Sequence, residues 1–347
     1  MANKNMANLS NTFFSVLDLA PVRAGKTPAD AMRSSLDLAQ HVEKWGYKRF
    51  WLAEHHNMAG IASAATSVLI GYIAGGTTSL RVGSGGIMLP NHAPLVIAEQ
   101  FGTLESLYPG RIDLGLGRAP GTDRATSFAL RSGLDRAIDF PELLAELQRY
   151  LGPPTPGQRV KAYPGSGLNI PIWLLGSSDY SAKLAAEEGL PFAFASHFAP
   201  EELLRSLHLY RSRFRPSAHL SKPYAIVGVP LVAADTDERA QFLATTPMQR
   251  GLSLIRGESM QLKPPVKNMD ELWSVHEKAA VESRMAIGTI GSAETIRERL
   301  ERLQEATKAD EFIFVSDLYD HEDRLRSFEI AANVMSQIEC KQVRLFN

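Results

Sequence analysis

The sequence predicts a (β/α)8 barrel, an α/β fold of the TIM-barrel type, on three observations. Short β-rich runs alternate with longer helical patterns along the chain, eight such runs are present, and no composition break divides the 347 residues into two halves. Alternation of this kind marks a parallel sheet covered by helices. Eight consecutive units are more simply closed into one barrel than divided between two doubly wound sheets.

The first run is Phe13 to Leu19, followed by a helical stretch, Ala29 to Lys44, in which Met32, Leu36, Ala39 and Val42 recur at three- or four-residue spacing. Runs two to four are Arg49 to Ala53, Leu80 to Gly83 and Arg111 to Leu116. The fifth and sixth are Ile172 to Leu175 and Phe192 to Ala195, the seventh is Tyr224 to Val232, and the eighth is Glu311 to Ser316. Gly152 to Pro171 reads as a long Pro/Gly-rich loop. From about Thr246 to Ile287 the pattern turns irregular, with helical fragments around Pro264 and Pro265, and is expected to form a lid-like insertion over the barrel mouth. The whole chain, 1–347, is read as a single domain whose residues 1–11, polar and Asn-rich, form a flexible tail.

Composition removes several function classes. Lys+Arg 37 against Asp+Glu 38 leaves a net charge of -1, without the basic excess that nucleic acid or an anionic membrane surface requires. The longest apolar stretches, Val68 to Ala74 and Ala225 to Ala234, fall well short of the roughly 18 residues of a membrane span. A lone cysteine, Cys340, permits neither an internal disulfide nor a thiolate metal site, which fits a cytoplasmic protein.

In a (β/α)8 barrel the chemistry sits in the loops beyond the strands' C-terminal ends. After the second run come Glu54, His55, His56 and Asn57, and strand alternation sends Glu54 and His55 to opposite sides. A carboxylate beside imidazoles suits general acid/base work, but the same residues could equally cap the sheet with satisfied hydrogen bonds. The spacing is not that of a metal site. After the third run, Gly83-Ser84-Gly85-Gly86 allows close approach of backbone to a planar ligand, or forms an ordinary turn. It is not a GxGxxG fingerprint. Arg118, at the end of the fourth run, and Arg136 beyond it could grip a phosphate or form surface ion pairs. Gly176, Ser177, Ser178 and Ser181 lead into a helix expected to begin near Ala182, a potential anion site at a helix N-terminus or a plain N-cap. Gly288 to Ser292, before a helix at Glu294 to Leu303, is a rival anion site, and the residues alone do not decide between the two.

The order and spacing of these segments resemble the bacterial luciferase-like flavin-dependent monooxygenases. AEHHN at 53–57, VGSGGIMLPNHAPL at 82–95, ESLYPGRIDLGLGRAPG at 105–121 and GSSDYSAKLAAEEGLP at 176–191 carry the likeness, with GTIGSAETIRERLERL and ADEFIFVSDLYDHEDRLRSFE near the end. It is clearest before residue 200, and FSVLDLAPV points to an alkanal monooxygenase-like bacterial branch distinct from the light-emitting subunits. The resemblance implies a barrel that takes reduced FMN as a co-substrate and uses O2 to oxidise a small organic substrate. A separate NAD(P)H-dependent flavin reductase would supply the FMNH2, since no second nucleotide site is visible. By resemblance His55 is the catalytic histidine and Glu54 a flavin-contacting carboxylate. Gly85 and Gly86 match the dipeptide under the flavin ring, where relatives carry a cis peptide bond. Arg118 and Arg136 match phosphate-contacting arginines, and Ser177, Ser178 and Ser181 the phosphate loop. Ser196 stands where luciferases have a pocket tryptophan, which argues against aldehyde oxidation with light emission. Relatives commonly form homodimers through helices of the early barrel units. A deazaflavin-dependent oxidoreductase on the same barrel, or a flavin-binding protein without turnover, are the alternative readings.

Overall fold

The computed structural model describes residues 9–119, 122–130 and 140–345. In chain order the strands are β1 (Phe13–Asp18), β2 (Arg49–Leu52), β3 (Arg81–Ser84), a short β4 (Ile87–Met88), β5 (Ile112–Gly117), β6 (Ile172–Gly176), β7 (Phe192–Phe194), β8 (Ala225–Ala233), β9 (Thr289–Gly291) and β10 (Glu311–Val315). The helices are α1 (Pro28–Lys44), α2 (Thr66–Gly75), α3 (Pro94–Leu107), α4 (Arg124–Ala129), α5 (Phe140–Leu151), α6 (Asp179–Glu188), α7 (Leu203–Arg213), α8 (Asp237–Arg256), α9 (Val275–Arg284), α10 (Ala293–Thr307) and α11 (His321–Leu345).

Strands β1, β2, β3, β5, β6, β7, β8 and β10 pair in parallel in that order, and β10 returns to pair with both β1 and β8, closing the barrel. These are the eight runs expected, each within a residue or two of its expected ends. β4 pairs with the end of β5, and β9 with the end of β8.

Strand alternation divides the core in two. Phe14, Val16, Phe50, Leu52, Ile112 and Phe312 face the helices in the main apolar cluster. Leu17, Trp51, Trp173, Ala193, Ile226 and Ile313 form a separate cluster inside the barrel. A fully buried Phe or Leu in either layer contributes about 1.5–3 kcal/mol. Below the inner apolar layer, the N-terminal end of the barrel is plugged by charge. Arg49 bridges Glu311 (Nε–Oε1 2.8 Å) and Asp113 (Nη1–Oδ2 2.8 Å), Arg81 joins Asp113 at 2.6 Å, and Ser15 and Tyr224 donate to Glu311. Removing one partner of such a buried set costs about 3–5 kcal/mol because it strands the other.

Helix α1 begins with a capping box between Thr27 and Asp30 and has Pro28 in its first turn. Its buried face is Ala31, Ser35, Leu38, Ala39 and Val42, so the expected stripe is turned by about one residue and leaves Met32 and Leu36 only partly buried. Three further differences from expectation have local causes. α6 starts at Asp179, about a turn before Ala182, because Ser178 takes the extended N-cap conformation. Leu9–Asn11, expected in the tail, form a 3-10 turn with Leu9 buried. The region expected to turn irregular at Thr246 is still helical to Arg256, with Pro247 inside α8. Proline removes one helical hydrogen bond. Tertiary contacts hold α8 on both sides of it: Thr245 Oγ1 accepts from Val266 N, while Thr246 Oγ1 and Gln249 Nε2 donate to Lys263 O and Pro264 O. The following segment is tied to the C-terminal face of the barrel, where Leu262 exchanges backbone hydrogen bonds with Val22 and Ala24. Gly60 lies beneath it so closely that a Cβ there would sit 2.2 Å from the Met260 carbonyl carbon.

Candidate active site

At the C-terminal end of the barrel the inward positions become small. Continuing the inward series, Ala53, Gly85, Gly117, Ala193, Ala195 and Gly228 surround a cavity of about 190 Å3 with Trp51 among its walls. The glycines are needed for the backbone to come this close: a Cβ on Gly85 would lie 2.6 Å from Leu17 Cδ1, and one on Gly86 would lie 2.9 Å from Gly115 O. The Gly85–Gly86 peptide is cis.

The same alternation separates Glu54 from His55. Positions 49, 51, 53 and 55 face inward, so His55 lines the cavity. Glu54 faces outward, is fully buried and is not among the residues that line the cavity. Its carboxylate accepts from Met88 N at 2.9 Å, and His56 Nε2 and His92 Nε2 lie 2.8 and 2.9 Å away. Burial pushes this carboxyl up, but the hydrogen bonds from His56, His92 and Met88 outweigh it and hold the group at about 2. Glu54 therefore ties the His55 loop to the strand that follows the glycine pair. His56 and His92 point at this carboxylate, and among the described residues no His, Cys, Asp and Glu grouping could hold a metal ion.

Arg118, Ser177, Ser178 and Ser181 line another wall of the same cavity. The Arg118 guanidinium stacks 4.0 Å from the Tyr180 ring centroid and, among the described residues, makes no ion pair. Ser178 occupies the N-cap of α6 without a side-chain capping hydrogen bond, and the first acidic residue, Asp179, is drawn away to Arg205 and Ser206. The helix start thus offers N–H groups and the positive end of its dipole toward Arg118. The rival site before α10 is filled from within. Asp237 accepts from Ser292 N at 2.6 Å and from Thr295 Oγ1 at 3.1 Å, and these bonds lower its pKa. Arg136 lies outside the described residues.

Two wall residues were not singled out from the sequence. His197 and Phe198 follow β7, and position 197 continues the inward alternation of 193 and 195. Ser196, expected at the pocket position, faces outward and donates to Gly228 O at 2.5 Å. Burial, with a smaller influence from His55, pushes the His197 imidazole down to about 4, and its Nδ1 is buried with no hydrogen-bond partner. Extending the strand alternation past the end of β7 would have found it.

Residues 12–309 match the model of the luciferase-like monooxygenase family. The chain belongs to that family. Among its relatives are YvbT of Bacillus subtilis, 57% identical over 93% of this chain and 97% of that protein, and a luciferase-like monooxygenase of Escherichia coli K12, 55% identical over 94% and 97%. The apo structure of MsnO8 superimposes with a TM-score of 0.83 at 34% identity, over 94% of this chain and 98% of MsnO8. More distant members of the fold, at 16% and 17% identity and TM-scores of 0.71 and 0.68, are a Pseudomonas putida diketocamphane monooxygenase constituent solved with FMN and a secondary alcohol dehydrogenase solved with an F420 adduct. Membership of the luciferase-like family supports an oxidoreductase. Among the described residues no helix is long and apolar enough to cross a membrane.

Proposed function

We propose that this protein is a cytoplasmic FMN-dependent monooxygenase that uses reduced FMN and O2 to oxidise a small organic substrate, with FMNH2 supplied by a separate NAD(P)H-dependent reductase. The observation that carries the reading is one cavity with two complementary walls. One is a glycine wall at Gly85, Gly86 and Gly117, where neighbouring protein atoms leave no room for a Cβ, and the other an anion-binding corner made by Arg118 and the uncapped start of α6. That pairing suits a planar ring ending in a phosphate.

In this reading Arg118 and the α6 N–H groups hold the phosphate, with Ser177, Ser178 and Ser181 around it, and Arg136 would join them. Gly85 and Gly86 support the ring, and Glu54 fixes the glycine segment through Met88 N. His55, on the inward face, moves a proton to or from the reacting substrate. Bound reduced FMN would supply the electrons that activate O2. The apolar walls, Leu17, Trp51 and Ile313, exclude water from that chemistry. The segment 246–287 acts as the cover, which is supported by its anchoring across the barrel's C-terminal face. A homodimer through the early helices is supported by exposed apolar residues on α2 and α3, Val68, Tyr72, Val96 and Leu107; light scattering reads the mass directly.

The test is an anaerobic titration with reduced FMN followed by admission of O2, with absorbance recorded throughout. Saturable binding and an O2 reaction altered by the protein are expected. Failure to bind reduced FMN, or binding of a deazaflavin in its place, would overturn the proposal.

A further inference from the structure

A second cavity of about 140 Å3 adjoins the first and shares Leu19, His197 and Phe198 with it. Its remaining wall is contributed largely by α8 and α9, including Leu254, Val281 and the loop residue Met260, and is mainly apolar. Set in this wall is Arg250, 5% exposed. Its Nη1 lies 2.7 Å from Asp317 Oδ1, yet without hydrogen-bond alignment, and neither terminal nitrogen has a hydrogen-bond partner.

The other buried arginines among the described residues are satisfied. Arg49 is aligned on Glu311 and Asp113, and Arg324 donates to Asp18 and to Ser316 O. A buried guanidinium with idle donors is costly, and a planar carboxylate is the acceptor that matches its paired N–H groups. Arg284, the other arginine of the lining, is exposed to solvent, so the buried guanidinium of this cavity is that of Arg250.

We propose that this second cavity is the substrate site, and that the substrate is an organic monocarboxylate with a short apolar portion. Its carboxylate docks on Arg250, competing with Asp317, and its apolar portion passes His197 and Phe198 toward the first cavity. At roughly 30 Å3 per water-sized group, the space of about 140 Å3 admits a carboxylate and a few carbons. His197 adds no charge that would compete with Arg250, because its imidazole stays neutral at physiological pH. The assignment as substrate site rests on the flavin reading above; the preference for a carboxylate does not.

The experiment is calorimetric titration of the purified protein with hexanoate and with its neutral isostere hexanamide, with and without oxidised FMN. Hexanoate should bind at least tenfold more tightly than hexanamide, Arg250→Met should abolish that preference, and Asp317→Asn should raise hexanoate affinity severalfold. Equal affinities for acid and amide in the wild type overturn the proposal without recourse to any variant. So does a preference that survives in Arg250→Met, which would place the anion elsewhere, for example at Arg118. If Arg250→Met does not fold, Arg250→Lys keeps the charge without the planar fork and should lose most of the preference; full retention would refute the role. A hexanoate preference without any binding of reduced FMN would uphold the anion site and sink the flavin reading, and the converse result would do the opposite.

Discussion

Replacing Glu54 by glutamine removes a negative charge from a position where two imidazoles and a backbone N–H converge on it. The amide keeps one acceptor oxygen and turns a donor toward one of those groups. The size of the effect follows from the titration of the native carboxyl. Its ordinary value is 4.5 and it lies at about 2 here, which at about 1.36 kcal/mol per pH unit corresponds to about 3 kcal/mol of stability. The folded pKa is the lower one, so this contribution is complete above about pH 4.5 and is lost as the pH falls toward about 2. Urea unfolding of wild type and Glu54→Gln, followed by tryptophan fluorescence, should therefore show a gap of about 3 kcal/mol at pH 7, narrowing by about 1.5 kcal/mol by pH 3.5. Taking the difference between the two proteins cancels the titration of groups that are not coupled to Glu54. A gap below about 1 kcal/mol at pH 7, or one independent of pH, would refute the view that the hydrogen-bonded charge of Glu54 braces this loop.

Further predictions address the cavity and its surroundings. Arg118→Ala should weaken FMN binding by at least tenfold and riboflavin binding little, since riboflavin has no phosphate; equal losses by equilibrium titration would contradict the phosphate role. Asp237→Asn should leave FMN affinity within about twofold of wild type, because Asp237 caps α10 from within the protein. A large loss of FMN would move the phosphate to that helix. Gly115→Ala places a Cβ 2.1 Å from Ser84 O, where β3 and β5 approach each other. It should destabilise the fold by about 1–3 kcal/mol or more, read as a lower melting temperature. His55→Ala should leave flavin affinity nearly intact while slowing the oxygen-dependent turnover of bound substrate, and unchanged turnover would remove His55 from the chemistry.

Much of this molecule is legible along the chain because its architecture is built from local periods. Eight β-rich runs separated by helical patterns specify eight parallel strands, since a period of two and a period near 3.6 are written directly into the order of apolar residues. The glycines at 85 and 86, His55, Arg118 and the serines at 177, 178 and 181 were visible as residue types in loops after strands, where a barrel of this kind gathers its chemistry. What the sequence could not supply was direction and partnership. Glu54 and His55 are neighbours in the chain, yet only the closed barrel decides that His55 meets the cavity while Glu54 turns toward Met88 and His92. The two candidate anion sites looked alike as strings of Gly and Ser. The tertiary fold separates them by bringing Asp237, more than fifty positions away, onto the start of α10 and leaving α6 uncapped. Arg250 belongs to the same class: in the sequence it is one charged residue on a helix, and only burial among the apolar residues of the second cavity makes its idle hydrogen-bond donors significant. Local pattern sets which elements form; the free energy of burying or pairing each polar group is settled only when distant elements meet.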